Sequence, residues 1–366
     1  MSYTNKQVVL VSRPHGEPKL SDFAVIESEI PSLKEGEILL KTQCFSLDPY
    51  MRGRMNVIAS YIQPFGLGKV LEGGAICTIE ASKNPELKVG DLVLTTTGWQ
   101  THGVIKPKIV NELFTDPTNV MKLPSDIKPS LFLGALGLPG YSGYYGIKKI
   151  GEPKKGETVV VSAATGGVGS MAGQFAKRMG CYVVGIAGGS EKCKHAVEEF
   201  GFDVCVDRYS NTFPEDLKKA CPKGIDIYFE NVGGPVFFAV HPLLNEFARI
   251  AVCGTISWYN DGMTLAEPGL SFRQIIPKLR AILKFIGIDR TPLIIRSMIV
   301  KRLKYQGFLI RDHFNEYEMF LKEAAPLVKS GEIKCKEHIV QGIEKAPEAF
   351  CGLLKGQNFG KVVIEI

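Results

Sequence analysis

Residues 159–177 read VVVSAATGGVGSMAGQFAK: an apolar run, a burst of small residues, then a helical pattern. The β-branched run from Thr158 to Val161 hardly alternates, so Glu157 to Ala163 predicts a parallel strand buried on both faces. From Val168 onward, Met171, Ala172, Phe175 and Met179 recur at spacings of three and four, which predicts a helix. Tyr182 to Ala187 supplies a second strand, completing a βαβ unit. Small residues at Ala163, Gly166, Gly167 and Gly169 let the chain turn sharply and let a pyrophosphate approach the unpaired N–H groups at the helix start. The spacing A-x-x-G-x-x-G is a variant of the dinucleotide fingerprint. The flanking strands favour that reading over a turn chosen for packing alone.

The tip of the second strand selects the nucleotide. An NAD site is expected to place an acid there for the ribose 2′-hydroxyl, but this chain has Gly188-Gly189-Ser190, then Lys192, with Arg208 after the third strand. Two cations favour the 2′-phosphate of NADP. Glu191 stands as the alternative ribose ligand, although it falls past the tip, and both cations have the simpler reading of solvated surface residues. Further alternation follows: a strand at Val204–Val206, a helix from Phe213 to Cys221, and strands at Ile225–Phe229 and Arg249–Cys253. Ligands of open α/β sheets sit at the carboxyl ends of strands, so Asn231, Cys253 and the residues just after them are candidates to line the site.

A chain of 366 residues is too long for one core, so two domains are expected. No apolar run reaches membrane-spanning length and the start MSYTNKQ lacks a signal-peptide core, so a cytoplasmic location is the expectation. Nine cysteines, no two closer than twelve residues, give no zinc-type pair and suit a reduced compartment. The six histidines show no close metal-ligand pair, and no G-x-S-x-G elbow supports a hydrolase. Between Ser271 and Lys304, nine Lys/Arg face one acid, Asp289, so that segment alone carries more positive charge than the net +6 of the whole chain. The basicity is local, and no nucleic-acid partner is expected.

Five stretches, SLDPYMRGRM (46–55), AATGGVGS (163–170), GIDIYFENVGG (224–234), RIAVCGTISWYN (249–260) and LKGQNFGK (354–361), resemble the zinc-independent medium-chain dehydrogenase/reductases. The resemblance is specifically to the NADPH-dependent alkenal double-bond reductases and prostaglandin/leukotriene reductases, and it runs in order through nearly the whole chain. It implies an α/β architecture in which a Rossmann doubly wound parallel sheet is joined to a GroES-like, mainly-β substrate domain. The expected division is 1–128 for the first part of the substrate domain, 129–328 for the NADP-binding domain, and 329–366 for the return. By resemblance Gly166, Gly167, Val168 and Gly169 hold the pyrophosphate and Lys192 the 2′-phosphate. Asn231, Cys253, Ser257, Tyr259, Phe308 and Asn358 then surround the ribose and nicotinamide. Arg208 stands where the family commonly has Tyr, which should strengthen the NADPH preference, with Asp207 beside it a partial offset. Leu71-Glu72-Gly73-Gly74 occupies the region where the zinc-dependent relatives carry a Gly-His-Glu step.

The expected reaction is NADPH-dependent reduction of the carbon–carbon double bond of an α,β-unsaturated aldehyde or ketone. Tyr259 is the first candidate to donate a hydrogen bond to the carbonyl oxygen, with a structural hydroxyl as its plainer reading. Tyr50 is the second, expected from the other domain, and is equally readable as a packed residue in a Pro-fixed turn. A quinone reductase of the same superfamily and a non-enzymatic NADPH-binding protein stay open. A homodimer is expected from the resemblance alone. Ile275, Leu279, Ile282 and Ile286, with Arg273, Lys278, Arg280 and Lys284 between them, pattern as a basic amphipathic helix. It reads as a surface-packed helix, with a pocket lid or a membrane-surface contact as alternatives.

Overall fold

A computed structural model describes residues 4–57, 60–110, 118–260 and 290–366. The βαβ unit is present, with strands Thr158–Ser162 and Tyr182–Ala187 around the helix Gly169–Arg178. These strands belong to a six-stranded, wholly parallel sheet in the order 204–207, 182–187, 158–162, 225–230, 244–252, 304–307. Val159 and Val161 pack with Met171 and Phe175 of that helix. Val160 joins Phe213, Leu217 and Val236, from helices Phe213–Ala220 and Gly234–Val240, in a different cluster. Alternation of valines to the two sides of one strand is why this run shows no polar face. The sheet is doubly wound.

Chain order reverses between the strands 158–162 and 225–230, so a crevice opens at their carboxyl ends. A second, mostly antiparallel sheet of eight strands runs in the order 337–341, 361–365, 38–46, 75–82, 92–95, 119–122, 108–109, with 102–105 pairing to 38–46. Trp99, fully buried, stacks on Phe23 and Phe45 and meets Phe350 edge-on at the centre of this mainly-β lobe. Strand Lys361–Glu365 thus comes from the end of the chain to lie between 337–341 and 38–46.

Several element boundaries differ from the sequence reading, most of them by one residue. The first parallel strand is Thr158–Ser162, a residue shorter at each end, and its helix begins at Gly169 with Val168 as the N-cap. The strand expected over Arg249–Cys253 runs from Leu244 to Val252. Its pairing jumps from Ile225↔Leu244 to Ile227↔Arg249, and Phe247 has a left-handed φ of 61°. That irregularity breaks the strand periodicity of Leu244–Ala248 and hides it in the sequence. The helix Leu138–Tyr145, in turn, runs on into a π-helical turn at Gly146–Gly151 that the sequence did not announce. The basic pattern at 273–286 lies outside the described residues. Among the described residues no helix is long and apolar enough to cross a membrane.

Candidate active site

The loop between strand 158–162 and helix 169–178 forms because its residues leave room for backbone. Ala163 adopts a left-handed φ of 51°, costly for a residue with a Cβ. A Cβ at Gly169 would stand 2.3 Å from the Ala163 carbonyl oxygen, and one at Gly143 would stand 2.6 Å from that of Val168. Only glycine lets helix 138–145 approach the loop so closely. Beyond the loop, Asn231 is fixed by two bonds to Ser162: its N–H donates to Oγ at 2.8 Å and its Nδ2 to the carbonyl at 2.7 Å. Buried Glu230 accepts the N–H groups of Val232 and Gly233, closing the adjacent turn.

A cavity of about 800 Å³ opens over these strand ends and is lined by Gly166, Gly167, Val168, Gly169, Asn231, Cys253 and Gly254. The same cavity reaches Lys192, Arg208, Ser257, Tyr259, Phe308 and Asn358, and Tyr50 from the mainly-β lobe. Every site residue named from the sequence therefore lines one cavity, although they span more than 300 positions.

At one part of the wall, Lys192 donates to the Gly356 carbonyl at 2.6 Å. Burial first, then Arg208, holds its ammonium below the usual lysine value. A half-buried cation pressed by a second cation is a place that favours an anion. Asp207, beside Arg208, accepts the N–H groups of Gly189 at 2.8 Å and Tyr209 at 2.9 Å. The Arg208 guanidinium lies 4.3 Å from the Tyr209 ring centroid. Glu191, the alternative ribose ligand, is exposed in the first turn of helix Ser190–Glu198.

Tyr50, Tyr61, Tyr259, Arg54 and Arg311 also line the cavity. Burial pushes the Tyr259 hydroxyl up to about 12 and that of Tyr50 well above its ordinary value, so both stay O–H donors at neutral pH. The Tyr259 oxygen accepts the backbone N–H of Thr255, which leaves its own proton free to donate, and among the described residues the Tyr50 hydroxyl has no hydrogen-bond partner within the chain. Ser257, by contrast, spends its hydroxyl on the Val232 carbonyl at 2.6 Å, and the Asn358 amide donates to Gly360 at 2.7 Å.

Sequence reasoning missed Lys361. Its side chain is 6% exposed, the ammonium donating to Asp48 Oδ1 at 2.8 Å and the Leu47 carbonyl at 2.7 Å, while the stem lies 3.3 Å from where a Gly167 Cβ would be. It ties the loop of the parallel sheet to the Asp48-Pro49-Tyr50 corner of the other lobe. The Gly-Lys step at 360–361 was visible, but not its partner 313 residues earlier. Arg54 was missed likewise: it is buried, reaches Glu72 at 2.7 Å and the Gln63 carbonyl at 2.9 Å, and covers the Phe65 ring. Among the described residues no three His, Cys, Asp or Glu side chains gather in a metal-binding group.

A doubly wound parallel sheet with a glycine-rich loop at its reversal point, facing a mainly-β lobe across one cavity, defines a two-lobed nicotinamide-dinucleotide oxidoreductase. Comparisons with known proteins agree. A family model described as the N-terminal domain of oxidoreductase matches residues 6–113, and one described as zinc-binding dehydrogenase matches residues 167–293. The NADPH-dependent curcumin reductase of Escherichia coli is 46% identical over 99% of this chain and 97% of its own length. The 2-alkenal reductase (NADP(+)-dependent) of Nicotiana tabacum is 36% identical, covering 99% and 98%. The crystal structure of CurA in complex with NADPH from Vibrio vulnificus superposes with a TM-score of 0.85 at 45% identity, covering 98% of each chain. The chain belongs to the zinc-independent medium-chain dehydrogenase/reductases, and it is an NADPH-dependent oxidoreductase.

Proposed function

We propose that this enzyme reduces the carbon–carbon double bond of α,β-unsaturated ketones and aldehydes, with conjugated aryl enones as the best acceptors. The observation that carries the reading is Tyr259, whose phenolic oxygen takes the Thr255 N–H and keeps its own proton free to donate, in the same cavity as the glycine-rich loop. The similarity to a curcumin reductase and a 2-alkenal reductase supports the acceptor class.

The residues present fit NADPH. Gly166 to Gly169 offer backbone N–H groups at a helix start, and Lys192 and Arg208 offer cations suited to the 2′-phosphate. Asn231, Cys253, Ser257, Phe308 and Asn358 would enclose the ribose and nicotinamide. When bound, the reduced nicotinamide supplies the hydride that the β-carbon accepts. Tyr259 then serves the carbonyl oxygen, where negative charge collects as the enolate develops, by donating its O–H in a site largely shielded from water. Its raised pKa keeps that proton in place. Tyr50 supports the same oxygen or the acceptor's flank, and a solvent proton completes the α-carbon. Lys361 and Asp48 fix the corner from which Tyr50 projects. We keep the domain division at 128 and 328 and the homodimer as parts of this proposal.

The test is NADPH consumption, with NADH in parallel, against an aryl enone, a medium-chain enal, a quinone and a saturated aldehyde, with products identified by mass and NMR. Saturated ketone or aldehyde from the first two is the expected outcome. Turnover of the quinone alone would replace the reading with quinone reduction. Tyr259→Phe should lower kcat on the enone about 100-fold, the cost of losing one oxyanion donor, with the KM for NADPH unchanged. Equal turnover would remove Tyr259 from catalysis.

A further inference from the structure

Within SLDPYMRGRM, Arg52 sits two residues after Tyr50 in the helix Tyr50–Arg54 and is only 1% exposed. Its guanidinium bonds in three directions. Nη1 donates to Asn56 Oδ1 at 2.8 Å, one helical turn on, and Nη2 donates to the Gly16 carbonyl at 2.8 Å and the Pro14 carbonyl at 3.5 Å. Those partners belong to the mainly-β lobe. Nε donates at 3.0 Å to Asn260 Oδ1, 208 positions later, past the end of strand Leu244–Val252 of the parallel sheet. These four acceptors are neutral amide or main-chain oxygens, so the contacts exploit the shape of the group: a rigid planar fork whose donors point at fixed angles.

Asn260 directly follows Tyr259. Tyr259 closes the 3₁₀ turn Ile256–Trp258, its N–H donating to the Ile256 carbonyl at 3.3 Å, longer than an ordinary N–H to carbonyl bond. Its hydroxyl lies over Gly254, 3.1 Å from where a Cβ would stand there. The long bond holds the Tyr259 backbone from one side, and the Arg52 grip on Asn260 holds it from the other. The same guanidinium is carried by the helix that Tyr50 opens, so it ties together the elements that bear both phenols.

We propose that Arg52 is a positioning residue: by gripping Asn260 from the opposite lobe it sets the Tyr259 hydroxyl at the carbonyl oxygen of the acceptor. This inference rests on Tyr259 as the donor to that oxygen. Neither Arg52 nor Asn260 lines the cavity, so both act through Tyr259. A donor stabilises an enolate only when it stands within hydrogen-bond reach of the oxygen, and a misplacement of about 1 Å costs on the order of 100-fold in rate.

The experiment measures kcat and KM for an aryl enone and for NADPH in the full-length enzyme, with thermal denaturation of each variant. The variants are Asn260→Ala, Asn260→Asp, Asn56→Ala, Tyr259→Phe, and Asn260→Ala combined with Tyr259→Phe. Asn260→Ala removes the bond between the lobes and leaves Arg52 its contacts within its own lobe. It should lower kcat about tenfold, the value of one charge-assisted hydrogen bond, with the KM for NADPH unchanged. Asn260→Asp keeps an acceptor oxygen and should restore most of the turnover. Asn56→Ala loosens the same guanidinium within its own lobe and should lower the melting temperature while kcat stays close to wild type. In the Tyr259→Phe background Asn260→Ala should have no further effect, because the hydroxyl it positions is gone. Wild-type turnover in Asn260→Ala, an equal loss of kcat in Asn56→Ala, or additive losses in the double variant would overturn the proposal. Full turnover in Tyr259→Phe marks failure of the Tyr259 reading itself. A large loss there beside wild-type turnover in Asn260→Ala marks failure of the Arg52 grip alone.

Discussion

Under the proposed assignment, nucleotide choice rests on Lys192 and Arg208, and a single substitution tests it. Lys192→Ala removes a charge-assisted bond and should cost about 1.5–3 kcal/mol in NADPH affinity while leaving NADH nearly unchanged. Matching losses for both cofactors would refute the phosphate assignment. The sign of the pH dependence follows from the depressed ammonium: it is charged at low and neutral pH and loses its proton as pH rises through a value below the ordinary lysine range. NADPH affinity measured by titration should therefore fall in the alkaline range before an ordinary lysine would titrate, while NADH affinity stays flat. At this scale the sequence was informative about identity. The absence of an acid at the tip of strand 182–187 and the presence of Lys192 and Arg208 were legible, because a strand tip and the turn after it are local. That Asp207 is held by the Gly189 and Tyr209 N–H groups was not legible, since this depends on how two strand ends sit side by side.

At the scale of elements, packing of the first helix on its sheet depends on glycine. A Cβ at Gly173, in the middle of helix 169–178, would meet the Phe202 ring at 1.9 Å. Gly173→Ala should destabilise the protein by about 1–3 kcal/mol, the usual cost of overpacking, and thermal denaturation checks it. Gly53→Ala is the control: a Cβ there meets nothing within 4 Å, and alanine favours a helix over glycine. An unchanged melting temperature for Gly173→Ala would show that Phe202 moves aside freely. The helical period in Met171, Ala172 and Phe175 announced this element correctly. Strand Leu244–Val252 was only half legible, because its bulged register interrupts the pattern that a strand reading needs.

For the whole molecule, the parallel sheet ends at strand Lys304–Gly307, an edge with no further strand among the described residues. Beside it, helix Thr291–Val300 leaves Leu293 70% and Ile299 72% exposed. An exposed edge next to an apolar helix face suits a second copy of the chain better than water. Light scattering on the purified enzyme should give twice the chain mass of 40.2 kDa, and Leu293→Asp with Ile299→Asp should shift it toward the monomer. A monomeric wild type would end the homodimer proposal. The sequence by itself determined the βαβ unit, the glycine loop and the presence of Lys192 and Arg208 near the strand tips, because each is written within a few dozen consecutive residues by periodicity, charge and small size. Only the tertiary structure decided that Lys361 clasps Asp48 and that Arg54 is buried against Glu72. Those contacts arise where separate elements converge, one of them across 313 residues, and no local pattern records which residues such a convergence brings together.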